Sequence, residues 1–189
     1  MADERFTALR TSRLVLRRLV PDDAPRFAQY RSDPEVARYQ GWDAPYPLEA
    51  AQAFVADHDG REPGTPGEWF QLGVALAADP GRLLGDVAVH VEGADPRLAR
   101  IGFTLAADAQ GHGYATEAVT AALDWLFARG THRVCADCDA RNVRSAALLE
   151  RVGMRREAHH VASAWWKGEW TDELVFAVLA HEWSARHNR

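Results

Sequence analysis

Hydrophobic and polar positions change rhythm several times along this chain. Residues 13–19, R-L-V-L-R-R-L, form a short apolar run that predicts a first strand. Pro21-Asp22-Asp23 breaks it and opens a helix through Arg31. S-D-P-E at 32–35 predicts a second helix start. Ser32 or Asp33 can cap free amides there, Pro34 stands where a missing N–H costs nothing, and Glu35 suits the positive end. P-L-E-A-A-Q-A-F-V-A-D-H (47–58) predicts a further helix, and R-E-P-G-T-P-G-E (61–68) a surface loop. Three strands come next, at 69–76, 83–91 and 99–105. The turns between them, A-D-P-G (78–81) and G-A-D-P (93–96), are short, which predicts an antiparallel meander.

A helical rhythm resumes at Gly113 and runs to about Arg129. Its polar positions Glu117, Thr120 and Asp124 recur at spacings of three and four, so the wet stripe is thin and most of the helix is buried. H-R-V-C-A-D-C-D (132–139) predicts a strand, Asn142 to Arg151 a short helix, and Gly153 a left-handed cap. A-S-A-W-W (162–166) and E-W-T-D-E-L-V-F-A-V-L (169–179) flank Lys167-Gly168, a tight hairpin. Trp69, Trp125 and Trp183 are expected in the core. The whole, residues 1–189, reads as one mixed α+β domain with its core over about 9–183.

Composition narrows the function classes. With 189 residues the chain can bury one sizeable core. No apolar run reaches membrane-spanning length, and the start M-A-D-E-R-F-T lacks a signal-peptide pattern. Cys135 and Cys138 are the two cysteines, which suits a reducing cytoplasm. A net charge of −5 argues against nucleic acid as a partner.

The chemistry concentrates in L-A-A-D-A-Q-G-H-G-Y-A-T-E-A-V (105–119). Gly111 and Gly113 weaken a helix start that alanines would make easily. The first amides of a helix lack internal partners and, with the helix dipole, form an anion site. Glycines would let a diphosphate approach the backbone; a tight turn with no ligand would use the same residues. No Gly-Lys-Ser/Thr completes a P-loop. Gly111, Gly113 and Thr116 miss the third glycine of a dinucleotide fingerprint.

Q-G-H-G-Y-A (110–115) resembles the Q/R-x-x-G-x-G/A motif of the GNAT superfamily of N-acetyltransferases, with Gln110, Gly113 and Ala115 in register. G-Y-A-T-E-A, H-R-V, N-V-R-S-A-A-L-L-E-R-V-G-M, the opening R-L-V-L-R-R-L-V-P-D-D-A and the late K-G-E-W-T-D-E-L resemble its Rim-type branch, whose members acetylate protein N-termini or small amines. The similarity runs from about Leu9 to Trp183. It implies a twisted mixed sheet splayed between its fourth and fifth strands, here 99–105 and 132–139, with helices on both faces. It implies acetyl-CoA in that split. The binding set is then Phe103, Thr104 and Leu105 for pantetheine, Gln110, Gly111, His112, Gly113, Tyr114, Ala115 and Thr116 for the diphosphate, and Asn142, Ser145 and Arg151 beyond. Arg141, Arg144, Arg155 and Arg156 gather in the same stretch, where a basic residue could meet the 3′-phosphate. The resemblance makes Ser145 the candidate acid for the departing thiolate, since S-A-A-L-L-E-R holds no tyrosine. Asn142 also reads as an ordinary N-cap. Dimers are frequent in the family, so a homodimer is an expectation too.

A base is harder to find. Where the family often has a carboxylate before I-G-[FY], this chain has Arg100; Asp86, Glu157 and His160 are weak substitutes. An α-amine has a pKa near 7.7–8.0 and lysine near 10.4, so deprotonating lysine costs about 3.5 kcal/mol more. A site without a strong base therefore favours a weakly basic amine. Tyr39, Trp42, Trp165, Trp166 and Cys138 fall in segments that flank the acceptor in the resembled family. C-A-D-C (135–138) is no metal clamp, because residues three apart on a strand point to opposite faces; no metal is expected. The expectation is thus acetyl transfer from acetyl-CoA to a primary amine, on a peptide N-terminus or a small molecule, by direct attack. The alternatives are a non-catalytic acyl-CoA-binding module and an N-acyltransferase with another donor such as succinyl-CoA.

Overall fold

A single mixed sheet of eight strands organises the described residues, 6–187 of a computed structural model. In chain order the strands are β1 (Ala8–Arg10), β2 (Leu14–Arg18), β3 (Trp69–Leu76), β4 (Asp79–Val91), β5 (Leu98–Leu105), β6 (Arg133–Asp139), β7 (Arg155–Trp166) and β8 (Glu169–Leu179). They lie side by side as β1-β2-β3-β4-β5-β6-β8-β7. Every neighbouring pair is antiparallel except β5–β6. The helices are α1 (Ala24–Arg31), α2 (Pro34–Ala37), α3 (Leu48–Asp57), α4 (Tyr114–Ala128), α5 (Val143–Val152) and α6 (Ala180–His187).

Local chemistry sets several boundaries. Asp33 accepts the Glu35 N–H at 2.9 Å and Pro34 opens α2, so the S-D-P-E stretch caps as its residue types dictate. Asn142 Oδ1 accepts the Ser145 N–H at 3.2 Å and starts α5. That helix ends at Gly153, whose φ of +96° suits only glycine well. The turn into β4 falls at residues 77–78, earlier than A-D-P-G suggests, and β4 already begins at Asp79. Register shifts around Ala75 absorb the difference, and Arg17 holds the Pro80 carbonyl at 2.8 Å from one nitrogen. A proline without an N–H is tolerated at such an irregular strand end. Strand β1 is too short to show a period in the sequence; it pairs from Ala8↔Arg17 to Arg10↔Val15.

The core forms between sheet and helices around Phe27, Phe70, Phe176, Leu14, Leu72 and Leu123, all fully buried. Trp183 belongs to it, with its indole N–H on Asp124 at 2.8 Å. Trp125 is half-buried against the edge of Phe6. Trp69 corrects the core expectation: it is 42% exposed and stacks on His90, 5.0 Å between ring centres, at the start of β3. Gly85 in β4 sets how closely the neighbouring strand can approach. A Cβ there would lie 2.1 Å from the Thr104 carbonyl oxygen and 2.8 Å from Leu105 Cα. The bare backbone lets the far end of β5 lie tightly against β4.

Candidate active site

Strands β5 and β6 run parallel and part company early. They pair at Leu98↔Arg133, Ala99↔Val134 and Arg100↔Cys135. Beyond that no register joins them, although β5 continues to Leu105, still paired with β4 at Gly85, and β6 continues to Asp139, paired with β8 at Glu173. A wedge opens between the two strands. Among the residues lining a cavity of about 90 Å³ at the wedge are Tyr39, Phe103, Cys138, Asn142 and Ser145. These come from the segment after α2, from β5, from β6 and from the start of α5.

Beside the wedge, the start of α4 carries no side-chain cap. Gly111 and Gly113 have φ of +80° and +79°, left-handed values that side chains disfavour. Gly113 is the N-cap of α4, and no side chain caps the amides beyond it. Nothing lies within 4 Å of the place a Cβ would take on Gly111. Gln110 ties this loop to both banks of the wedge: its amide N–H donates to the Leu105 carbonyl at 3.1 Å, and its Oε1 accepts from Arg144 at 3.3 Å. Arg151 reaches the Thr116 hydroxyl at 3.4 Å. Phe103, Asn142 and Ser145 thus line the cavity, while Leu105, the 110–116 loop and Arg151 lie outside its lining and are tied to one another through Gln110 and Thr116.

A splayed parallel pair beside an uncapped, glycine-shaped helix start is the arrangement that the resemblance of Q-G-H-G-Y-A implies. Residues 13–155 match the family model of the acetyltransferase (GNAT) domain. The chain belongs to the GNAT acetyltransferase family. It is 29% identical over 175 residues to the uncharacterized N-acetyltransferase YnaD of Bacillus subtilis (strain 168), covering 92% of this chain and 98% of that protein. The crystal structure of a GNAT-family acetyltransferase from Bacillus anthracis is similar with a TM-score of 0.83 at 27% identity, over 93% of this chain and all of that one. RimL, a ribosomal L7/L12 α-N-protein acetyltransferase solved in complex with coenzyme A, shares the fold with a TM-score of 0.77 at 18% identity, over 91% of this chain and 97% of its own. The protein is thus an acetyltransferase with the GNAT coenzyme A-binding fold.

Within this GNAT site the candidate bases stand apart from the cavity lining. Asp86 is 3% exposed, accepts the Tyr30 hydroxyl proton and lies 3.8 Å from Arg31. Burial pushes its carboxyl up, against the pull of Arg31 and the Tyr30 hydrogen bond. Glu157 is held by Arg133 and Arg155, and the hydrogen bond from Arg133, opposed by burial, takes it to about 2. His160 is exposed on β7, opposite Glu173 of β8.

The aromatic candidates separate as well. Tyr39 lines the cavity, but Trp42, Trp165 and Trp166 do not. Trp42 lies over the Arg31 guanidinium, 3.9 Å from its ring centre, and donates its N–H to the Arg31 carbonyl at 3.0 Å. Phe27, 3.9 Å away, also packs on that guanidinium, so Trp42 serves an aromatic box around a buried cation. Trp165 is 60% exposed and packs edge-on against Trp170. Trp166 is half-buried with an unpaired indole N–H and points toward Gly41. Cys138 faces the cavity with its thiol pushed up to about 12, by burial first and then by Asp137, Asp139 and Glu173. Both cysteines are free, and the described residues hold no cluster of three metal-binding side chains.

The arginines also sort themselves. Arg141 is taken by Asp139 and Glu169, and Arg155 by Glu157 and Glu182. Among the described residues, Arg144 and Arg151 hydrogen-bond the neutral groups of Gln110 and Thr116 and form no ion pair. Sequence reasoning missed Asp137, which lines the cavity and pairs with Arg100 across the root of the wedge. It also missed Lys167 as more than a turn residue: its ammonium donates to the carbonyls of Ala37 at 2.8 Å and Trp42 at 2.7 Å. Both partners lie more than 100 residues away, so no local pattern reveals them.

Proposed function

We propose that this protein transfers an acetyl group from acetyl-CoA to a primary amine by direct attack, on a peptide N-terminus or a small molecule. The observation that supports the reading is the wedge between β5 and β6, with Ser145 and Phe103 among the residues lining its cavity, followed along the chain by the uncapped start of α4. When bound, acetyl-CoA supplies an activated acyl group on a thiol leaving group. The amides at Gly113 to Thr116 would hold the diphosphate against the helix dipole. Arg144 and Arg151, free of carboxylate partners among the described residues, would meet further phosphate oxygens. Gly85 keeps the Phe103–Leu105 end of β5 against β4, which leaves its other edge to pair with pantetheine.

Ser145 is the proposed acid. It is half-buried at the cavity, and its amide is fixed by Asn142. Cys138 is protonated at neutral pH, which supports direct attack over an acyl-cysteine route. Asp86 is walled in by Tyr30 and Arg31, and Glu157 is too acidic to accept a proton efficiently. Water in the groove is the proposed proton carrier, which favours an acceptor with the lower basicity of an α-amine. One unbroken sheet supports treating the chain as a single domain.

Mass spectrometry of a peptide and small-amine library, incubated with labelled acetyl-CoA, tests the proposal. Acetylated amine should appear in step with free thiol. Ser145→Ala should lower kcat about a hundredfold, the usual worth of a positioned acid, with coenzyme A affinity little changed. Binding of acetyl-CoA without thiol release across the whole library would favour a non-catalytic module. Release with succinyl-CoA alone would replace the donor.

A further inference from the structure

The two glycines that open the diphosphate loop also make it easy to misfold locally. Glycine populates positive and negative φ about equally, so the peptide between His112 and Gly113 can turn over at little cost. In the arrangement seen, the His112 carbonyl accepts a hydrogen bond from Arg13 Nη1 at 3.0 Å. Turned over, that carbonyl would present negative charge where a diphosphate must sit and would withdraw the Gly113 amide. Something has to hold the plane.

Arg13 is placed to do so. It lies in the turn between β1 and β2, remote in sequence from the loop. Its guanidinium sits 4.8 Å from the centre of the Tyr114 ring, and that ring stacks on His112 at 5.4 Å with planes 13° apart. The fork is aimed by Glu117, in the first turn of α4. Glu117 Oε2 accepts from Arg13 Nε at 2.7 Å and lies 2.7 Å from Nη2, while Oε1 accepts from the Arg13 backbone N–H at 3.0 Å and from the hydroxyls of Thr11 and Ser12. Two guanidinium nitrogens converging on one carboxylate oxygen, whose partner oxygen is itself held by the Arg13 backbone N–H, Thr11 and Ser12, orient the guanidinium as a single lysine ammonium cannot. The pair is neutral together, so Arg13 brings orientation and little net charge.

We infer that Arg13, aimed by Glu117, is a positioning residue for the coenzyme A diphosphate: it locks the His112–Gly113 peptide with the amides turned toward the ligand. This rests on the proposed coenzyme A cleft. Calorimetry with coenzyme A alone tests it and requires no acceptor. Arg13→Gln should weaken binding about tenfold, the worth of one charge-assisted hydrogen bond, and Arg13→Lys should recover part of the loss. Glu117→Gln, which keeps an acceptor oxygen but not the charge, should fall between wild type and Arg13→Gln. In steady state the KM for acetyl-CoA should rise in step while kcat changes less than about twofold. Hydrogen exchange of the unbound Arg13→Gln variant should quicken at residues 111–116 and stay unchanged at 118–126. Equal coenzyme A affinity in Arg13→Gln and wild type would overturn the inference. So would faster exchange throughout α4, which would make Arg13 a general support of the fold. Failure of wild type to bind coenzyme A would instead remove the functional reading itself.

Discussion

At the scale of single residues, environment decides which carboxylate can do chemistry. Glu157 stands near the end of the sheet with Arg133 and Arg155 on it, and its pKa falls from an ordinary 4.5 to about 2. A group whose folded pKa is depressed stabilises the fold above its unfolded value and loses that contribution as pH falls through the folded one. Glu157→Gln should therefore lower the melting temperature at neutral pH. The gap to wild type should close as pH is taken from about 4.5 toward about 2. The rate profile around neutral pH should keep its wild-type shape, since Glu157 does not titrate there. Loss of a titrating limb in the variant would make Glu157 a base after all. The same logic isolates Asp86, whose nearest charged neighbour is a buried arginine stacked among aromatic rings.

At the scale of elements, the hairpin of β7 and β8 reaches the segment after α2. Lys167 and Gly168 take φ of +46° and +90°, the left-handed pair of a tight two-residue turn. Further back, β7 carries a bulge between His160 and Ala164, with Ala162 at φ +47°. Asp172 stabilises it by accepting the Ala162 N–H at 2.9 Å and contacting the His159 ring at 2.8 Å. Bulges bend a strand and re-aim the residues beyond them. Here the tip beyond the bulge is Lys167, which fastens the segment bearing Tyr39 and Gln40 through Ala37 and Trp42. Lys167→Met should raise the KM for the amine about fivefold, the worth of one to two hydrogen bonds, with coenzyme A affinity unchanged by calorimetry. Equal weakening of both would show that the hairpin supports the whole cleft and not the amine side of it.

At the scale of the molecule, the site is a defect in an otherwise continuous sheet. Eight strands are joined, yet one join holds for three residue pairs and then opens. Open strand edges expose backbone donors and acceptors that want partners. In this protein the exposed edges of β5 and β6 face each other across the cavity. Coenzyme A bound there should slow amide hydrogen exchange at residues 102–105 and 111–116. Exchange in β2 and β3, remote from the wedge, should be unaffected. Protection spread evenly over the sheet would mean that the ligand stabilises the fold without occupying the wedge.

The linear order of residues determined most of the elements, because caps, turns and periodicity act over a few residues, but not β1, α6, the early start of β4 or the first half of β7. Asp33 before Pro34, Asn142 before α5, and Gly168 at the hairpin behave as their types require, while Lys167 takes a left-handed φ that its side chain disfavours. The glycine loop was legible too, since left-handed backbone at Gly111 and Gly113 leaves a residue-type signature. Only the tertiary structure decided which of the charged side chains stay available. Among the described residues, Arg141 and Arg155 are consumed by carboxylates while Arg144 and Arg151 are not. It likewise brought Arg13 to Glu117 and Lys167 to Trp42, and left Trp69 and Trp165 in solvent. Ion pairs and burial depend on distances between remote segments, and those distances exist only once the sheet has closed around its core.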